Sequence, residues 1–272
     1  MFTAFRHQLR AGCLLGLAGV AAMTARPAPA AVAISSAEAE EIGRRLWRNE
    51  AGGTIAGLTS WNAGENFASL GIGHFIWYPV GIRGPFEESF PGLLEYFRAR
   101  GVPLPEWLEG ARGCPWATRA AFLADQQGPR MRELRSLLSE HIGLQAQFAV
   151  GRLQKALPKM LVAAAPGERE RVRRRFEELA AIPQGQYALV DYVNFKGEGT
   201  SQSERYAGRG WGLLQVLSRM EDGPVLNAFS RAAEETLVER VRNAPPERHE
   251  ERWLPGWRNR VRTYRAPAAS DA

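Results

Sequence analysis

Apolar residues recur at helical spacing through most of this chain, with one interruption. Ser35-Ser36-Ala37-Glu38 reads as a capping box that opens a helix running to about Glu50. On a wheel of that segment Ala39, Ile42, Gly43, Leu46, Trp47 and Glu50 share an arc of roughly 140°, with Arg44, Arg45 and Arg48 outside it. Residues 51–78 then carry six glycines and no helical period. Within them 58–61 and 67–72 are strand candidates, which predicts a small β-hairpin region. Residues 79–85 read as a loop. Helices are expected over 86–98, 116–127, 131–141, 144–163, 168–181, 187–195, 211–220, 225–243 and 250–264. Leu134, Leu137 and Leu138, then Phe148, Leu153 and Leu157, fit buried helical faces, and Pro158 is expected to kink or end its helix. The charge-dense run 168–178, Arg175 included, reads as a solvated face over Val172, Phe176 and Leu179, the alternative being a wall-binding patch. The expected fold class is α+β and mostly α-helical.

The ends of the chain read differently. Arg6, His7 and Arg10 precede an apolar run from Cys13 to Ala22, and Ala28-Pro29-Ala30 is an A-x-A cleavage site. Residues 1–30 are therefore expected to be a secretory signal peptide, too short and too soon broken for a membrane span. Its removal takes Arg6, Arg10 and Arg26 and no acid, lowering the formal charge from +6 to +3. Such a mild basic balance suits an anionic polymer such as cell wall, or is ordinary solubilising charge. It carries no nucleic-acid recognition motif. Only Cys114 would remain, so no internal disulfide forms, and a periplasmic or secreted monomer is expected, with no stable membrane insertion after cleavage. The expected organisation is one domain over 31–265, made of a helix-plus-hairpin lobe (31–80) and a helical lobe (81–265). A tail of small residues over 266–272 is expected to be disordered.

Chemistry narrows to few candidates. There is no H-E-x-x-H, no G-x-S-x-G and no phosphate loop, and the scarce histidines predict neither a metal nor a cofactor. Cys114 lacks a suitable neighbouring histidine and reads as buried. Glu50, leaving a helix on its apolar face, stands out. Desolvation favours the protonated form of a carboxyl, the state that a general acid needs. The alternative is a buried glutamate satisfied by an arginine or by backbone amides.

Ser69-Leu70-Gly71-Ile72-Gly73-His74 resembles the Thr-x-Gly-x-Gly-His strand of the phage-type lysozymes, whose first helix ends in the catalytic glutamate. The resemblance covers roughly 42–78 and, more weakly, 253–264. It implies a lysozyme-like fold, with Glu50 as general acid, Ser69 holding the attacking water and His74 as a structural histidine between hairpin and helical lobe. It also implies an arginine reaching the glutamate from behind, either Arg258 or Arg260. The family's aspartate between glutamate and threonine is missing, because none of Asp125, Asp191, Asp222 and Asp271 lies there. Asn62 and Glu65 occupy that interval, and Glu65 is the candidate second carboxylate.

Further on, Gly212-Leu213-Leu214-Gln215 resembles the Gly-Leu-Met-Gln segment of lytic transglycosylases, which lines their sugar groove. Asn194, Tyr206 and Gln215 are then candidates to bond sugar hydroxyls or N-acetyl groups. Trp61, Trp77, Tyr78 and Trp211 would offer faces to pyranose rings, with Trp77 and Trp211 equally suited to be core aromatics. Glu198 and Glu204 are rival acids. The expected activity is cleavage of the β-1,4 bond between N-acetylmuramic acid and N-acetylglucosamine in peptidoglycan strands. The alternatives are a lytic transglycosylase, in which the substrate's C6 hydroxyl replaces water, and an inactive glycan- or wall-binding protein.

Overall fold

A computed structural model describes residues 34–84 and 86–265. The expected signal peptide over 1–30 and the tail over 266–272 lie outside them. Ser35 opens helix α1 (Ser36–Ala51), its backbone amide donating to Glu38 Oε2 at 2.8 Å and its hydroxyl accepting from the Glu38 amide at 3.2 Å. The capping box is thus closed in both directions. Left-handed Gly52 ends the helix.

Three short strands follow, β1 (Thr59–Ser60), β2 (Ala68–Leu70) and β3 (Phe75–Trp77), in one antiparallel sheet of order β1-β2-β3. Ser69 sits opposite Ser60 on one side and Ile76 on the other. The sequence pattern accounts for β1 and β2 but not for β3. Residues 86–89, expected to be helical, instead brace that third strand. Ser89 Oγ accepts from the Ile76 amide at 3.0 Å and Glu88 from the Tyr78 amide at 2.8 Å. Helix α2 (Phe90–Ala99) starts only after them, with Pro91 in its first turn.

The rest is helical: α3 (Glu106–Glu109), α4 (Arg119–Ala124), α5 (Pro129–Glu140), α6 (Ile142–Ala163), α7 (Arg169–Ala180) and α8 (Pro183–Lys196). A two-stranded ribbon, β4 (Arg205–Tyr206) and β5 (Arg209–Gly210), precedes α9 (Leu213–Arg219), α10 (Val225–Asn243) and α11 (Leu254–Arg262). The architecture is therefore mostly α-helical with a small antiparallel sheet. Among the described residues no helix is long and apolar enough to cross a membrane.

Helix α6, about 33 Å long at 1.5 Å per residue, is the spine. It packs along α1 so closely that a Cβ on Gly43 would lie 2.6 Å from Ile142 Cγ2. Pro158 neither ends it nor shortens it, and the helix runs five residues further. The lost backbone bond is tolerated because neighbouring Leu157 and Met160 are buried and hold the helix in place. From Gly185 to Tyr192 every residue of α8 is buried. A helix covered on all sides is normally apolar throughout, so its polar members carry information.

On α7, Val172, Phe176 and Leu179 face the core as expected. Arg175 corrects the solvated-face reading. It is buried, donating to Glu178 Oε2 at 3.0 Å and reaching the Glu221 carbonyl and Asp222. At the other end, residues 250–264 are not one helix. Glu250–Trp253 is a 3-10 turn, and α11 begins at Leu254 with Pro255 in its first turn.

Candidate active site

Four separate segments bring polar groups to the end of α1. The last turn of α1 supplies Asn49 and Glu50. Helix α8 supplies Tyr187, Asp191 and Asn194, spaced i, i+4 and i+7, and therefore on one face. Residues from α11 onward supply Arg260 and Tyr264, and the turn between β2 and β3 supplies His74.

That turn is held from below. Gln145 on α6 is fully buried, its Oε1 accepting from the Ile72 amide at 3.0 Å and its Nε2 donating to the Leu138 carbonyl at 2.6 Å. A Cβ on Gly71 would stand 2.2 Å from that Oε1, and the residue's φ of +72° also favours glycine. His74 itself has a φ of +46°, a left-handed conformation uncommon for a residue with a side chain. It sets the imidazole Nδ1 3.4 Å from Glu50 Oε2.

Glu50 is 13 % exposed. Its Oε1 accepts from Arg260 Nη2 and, at 3.2 Å, from Asn194 Nδ2. Both donors engage Oε1, and Oε2 is the oxygen that faces His74. Of the two candidate arginines, Arg260 is the one that reaches the glutamate. Arg258 points elsewhere, to Glu234 Oε1 at 3.0 Å.

Asp191, fully buried, organises the arginine. It accepts from Arg260 Nε at 2.8 Å, Arg260 Nη2 at 2.9 Å, the Tyr264 hydroxyl at 2.6 Å and Asn49 Nδ2 at 3.1 Å. Two donors on each oxygen satisfy the buried carboxylate. Burial opposes the Arg260 charge, but Asp191, by charge and hydrogen bond, and then Glu50 outweigh it and hold the guanidinium firmly protonated. Burial, then the Asp191 charge, push the Tyr264 hydroxyl upward, so it stays a donor.

Beside this group lies Lys196, its Nζ 3.5 Å from the Trp257 ring centre and 4.0 Å from that of Phe195. Burial above all, then Arg240, lowers its pKa to about 6, against the pull of Glu250.

A cavity of about 310 Å3 opens next to the cluster. His74 and Asn194, both touching Glu50, line it, together with Phe86, Arg152, Glu198 and Glu204. Burial chiefly raises the Glu204 pKa, with Arg240 acting against and Glu198 adding to the rise.

The other sequence-derived candidates make their contacts elsewhere. Asn62 Nδ2 donates to Glu65 Oε2 at 3.1 Å, and Trp61 Nε1 donates to the Glu65 carbonyl at 2.8 Å, closing the β1–β2 connection on itself. Trp61 is buried edge-on to Phe122. Ser69 is buried in β2, its carbonyl accepting from Ser60 Oγ at 3.3 Å. Trp77 and Tyr78 are buried as well. Trp211 is buried against Tyr206, ring centres 4.6 Å apart, and the Tyr206 hydroxyl donates to Glu250 Oε1 at 2.9 Å. Gln215 spends both ends of its amide on backbone, accepting from the Gly212 amide and donating to the Gly199 carbonyl, each at 3.0 Å. Cys114 is buried, and burial raises its thiol to about 12.

Asp191, Tyr264, Asn49 and Gln145 escaped the sequence reading. One signal was present: Tyr187, Asp191 and Asn194 recur on a single face of an otherwise apolar segment. Among the described residues no group of His, Cys, Asp and Glu is placed to hold a metal ion. No protein-family model, curated protein or solved structure matches this chain.

Proposed function

We propose that this protein is a peptidoglycan-cleaving glycosidase of lysozyme-like type, exported to the periplasm or beyond, with Glu50 as its general acid. The observation that carries the reading is the two-sided environment of Glu50. One oxygen is fixed by Arg260 and Asn194, and the other faces His74 beside a cavity. A carboxyl so oriented delivers its proton from one defined oxygen to a glycosidic oxygen bound in that cavity. The order of glutamate-bearing helix, small sheet, helical body and terminal arginine supports the lysozyme-like assignment.

Glu50→Gln tests it. Release of muropeptides from purified peptidoglycan is expected to fall about 10²- to 10⁴-fold while glycan binding is kept. Release at the wild-type rate removes Glu50 from the mechanism, and a wild-type protein that binds without cutting is a wall-binding protein instead.

The engagement of Glu65 by Asn62 favours one second reading, a lytic transglycosylase in which Glu50 acts first as acid and then as base. Mass spectrometry of the products separates the two. Reducing muramic ends mark hydrolysis, and 1,6-anhydro ends mark transglycosylation.

A further inference from the structure

The carboxylate that the resemblance expects in the β1–β2 connection is turned to other use there, and hydrolysis needs a second one near the acid. The cavity wall holds three, Glu87, Glu198 and Glu204, and it is shared with His74 and Asn194, which both contact Glu50. These carboxylates are not equivalent. Glu87 lies 3.7 Å from Arg152 Nη2 and Glu198 lies 3.5 Å from Lys159 Nζ, whereas Glu204 accepts no hydrogen bond and joins no ion pair among the described residues.

The position of Glu204 is also defined. A Cβ on Gly197 would stand 3.3 Å from Glu204 Oε2, so the carboxylate rests on the residue that caps α8. Gly197 is three residues past Asn194, less than one helical turn from the side chain that donates to Glu50. The loop carrying Glu204 is tied down at its start. The carbonyls of Gly197 and Glu198 accept from the amides of Leu213 and Leu214, and Gln215 binds the Gly199 carbonyl, all at 3.0 Å. That anchoring gives Gln215 a positioning role in place of sugar contact.

We propose that Glu204 is the second catalytic carboxylate, the general base that activates water against the sugar carbon. The proposal rests on the Glu50 reading. As the bond from C1 to the glycosidic oxygen breaks, Glu50 protonates the departing oxygen. Water forms the new C1–O bond and gives its proton to Glu204. The carboxyls return to their starting states by proton exchange with solvent. Burial and Glu198 together make Glu204 a stronger base than a solvated glutamate, which suits the task.

The test uses the mature enzyme on purified peptidoglycan, with glycan binding and thermal unfolding as checks on folding. Glu204→Gln is expected to lose about 10²-fold or more of the release of reducing ends, with binding and melting temperature kept. Glu65→Gln is expected to stay active. In Glu204→Ala, azide is expected to restore turnover by attacking C1 itself, leaving a glycosyl azide. Activity kept in Glu204→Gln but lost in Glu50→Gln overturns this proposal and leaves the Glu50 assignment standing. Loss in Glu204→Gln without azide rescue of Glu204→Ala makes the residue a support for the loop and also overturns it. Wild-type products with 1,6-anhydro ends do the same, since no water attacks. Activity kept in Glu50→Gln removes both proposals.

Discussion

The charges along α7 and those around Asp191 are held in different ways. On α7, Arg171 and Glu168 pair at 2.8 Å with both side chains substantially exposed, and Arg174 and Glu178 approach to 3.8 Å in the same manner. Each pair lies a turn apart on one helix, where water screens it and ordering two long side chains offsets most of the gain. Around Asp191 the partners come from α1, α8 and the C-terminal segment, and little water separates them. Removing one partner there strands another charge in a poorly solvated place. The α7 run is the more conspicuous in the sequence, yet the structural weight falls on an aspartate with no charged neighbour in the chain.

The contrast is tested most severely at Asp191. Asp191→Ala is expected to lower the unfolding free energy by about 3–5 kcal/mol in urea denaturation, because Arg260 loses its main counter-charge. A loss below about 1 kcal/mol would mean that the network is not what docks α11. Within α7 itself, Arg175 and Arg171 sharpen the comparison. Arg175→Ala, which strips buried bonds to Glu178 and the 221–222 segment, is expected to cost about 1.5–3 kcal/mol. Arg171→Ala should stay under about 0.5 kcal/mol, and equal effects would erase the distinction.

Lys196 extends it to pH. Its folded-state pKa of about 6 lies below the usual lysine range, so between that pH and about 10.4 the unfolded chain binds the extra proton. Stability is therefore expected to rise with pH across this window and to carry the full cost of charging Lys196 below it. Subtracting the melting curves of Lys196→Met from those of wild type isolates the trend, and a flat difference contradicts it.

What could be read from the sequence was local. A capping box, a helical arc and a glycine-rich break located α1, its buried face and the sheet, because each depends on neighbours a few residues away. The place of Glu50 in the last turn of α1 was legible in this way. The choice between Arg258 and Arg260 was not local. Two residues apart on a helix they point in widely different directions, and only the seating of α11 decides which one meets Asp191. Asp191 itself lies 69 positions from Arg260, and nothing in its own surroundings announces the pairing. The segment ending at Gln215 matched a sugar-groove string, but the amide satisfies its own loop, a fact of backbone geometry that no string contains.

The contact between Arg260 and Glu50 joins positions 210 residues apart. On the ribosome, Glu50 is made long before its arginine. A nascent chain stalled before α11 lacks both the arginine and the tyrosine that complete the Asp191 network. Contacts of such long sequence separation also form late when a chain folds, since the entropy of closing the loop must be met first. Glu50 thus receives this support only after α11 has been made. For the proposed activity that dependence is a delay, written into the order in which the residues are added.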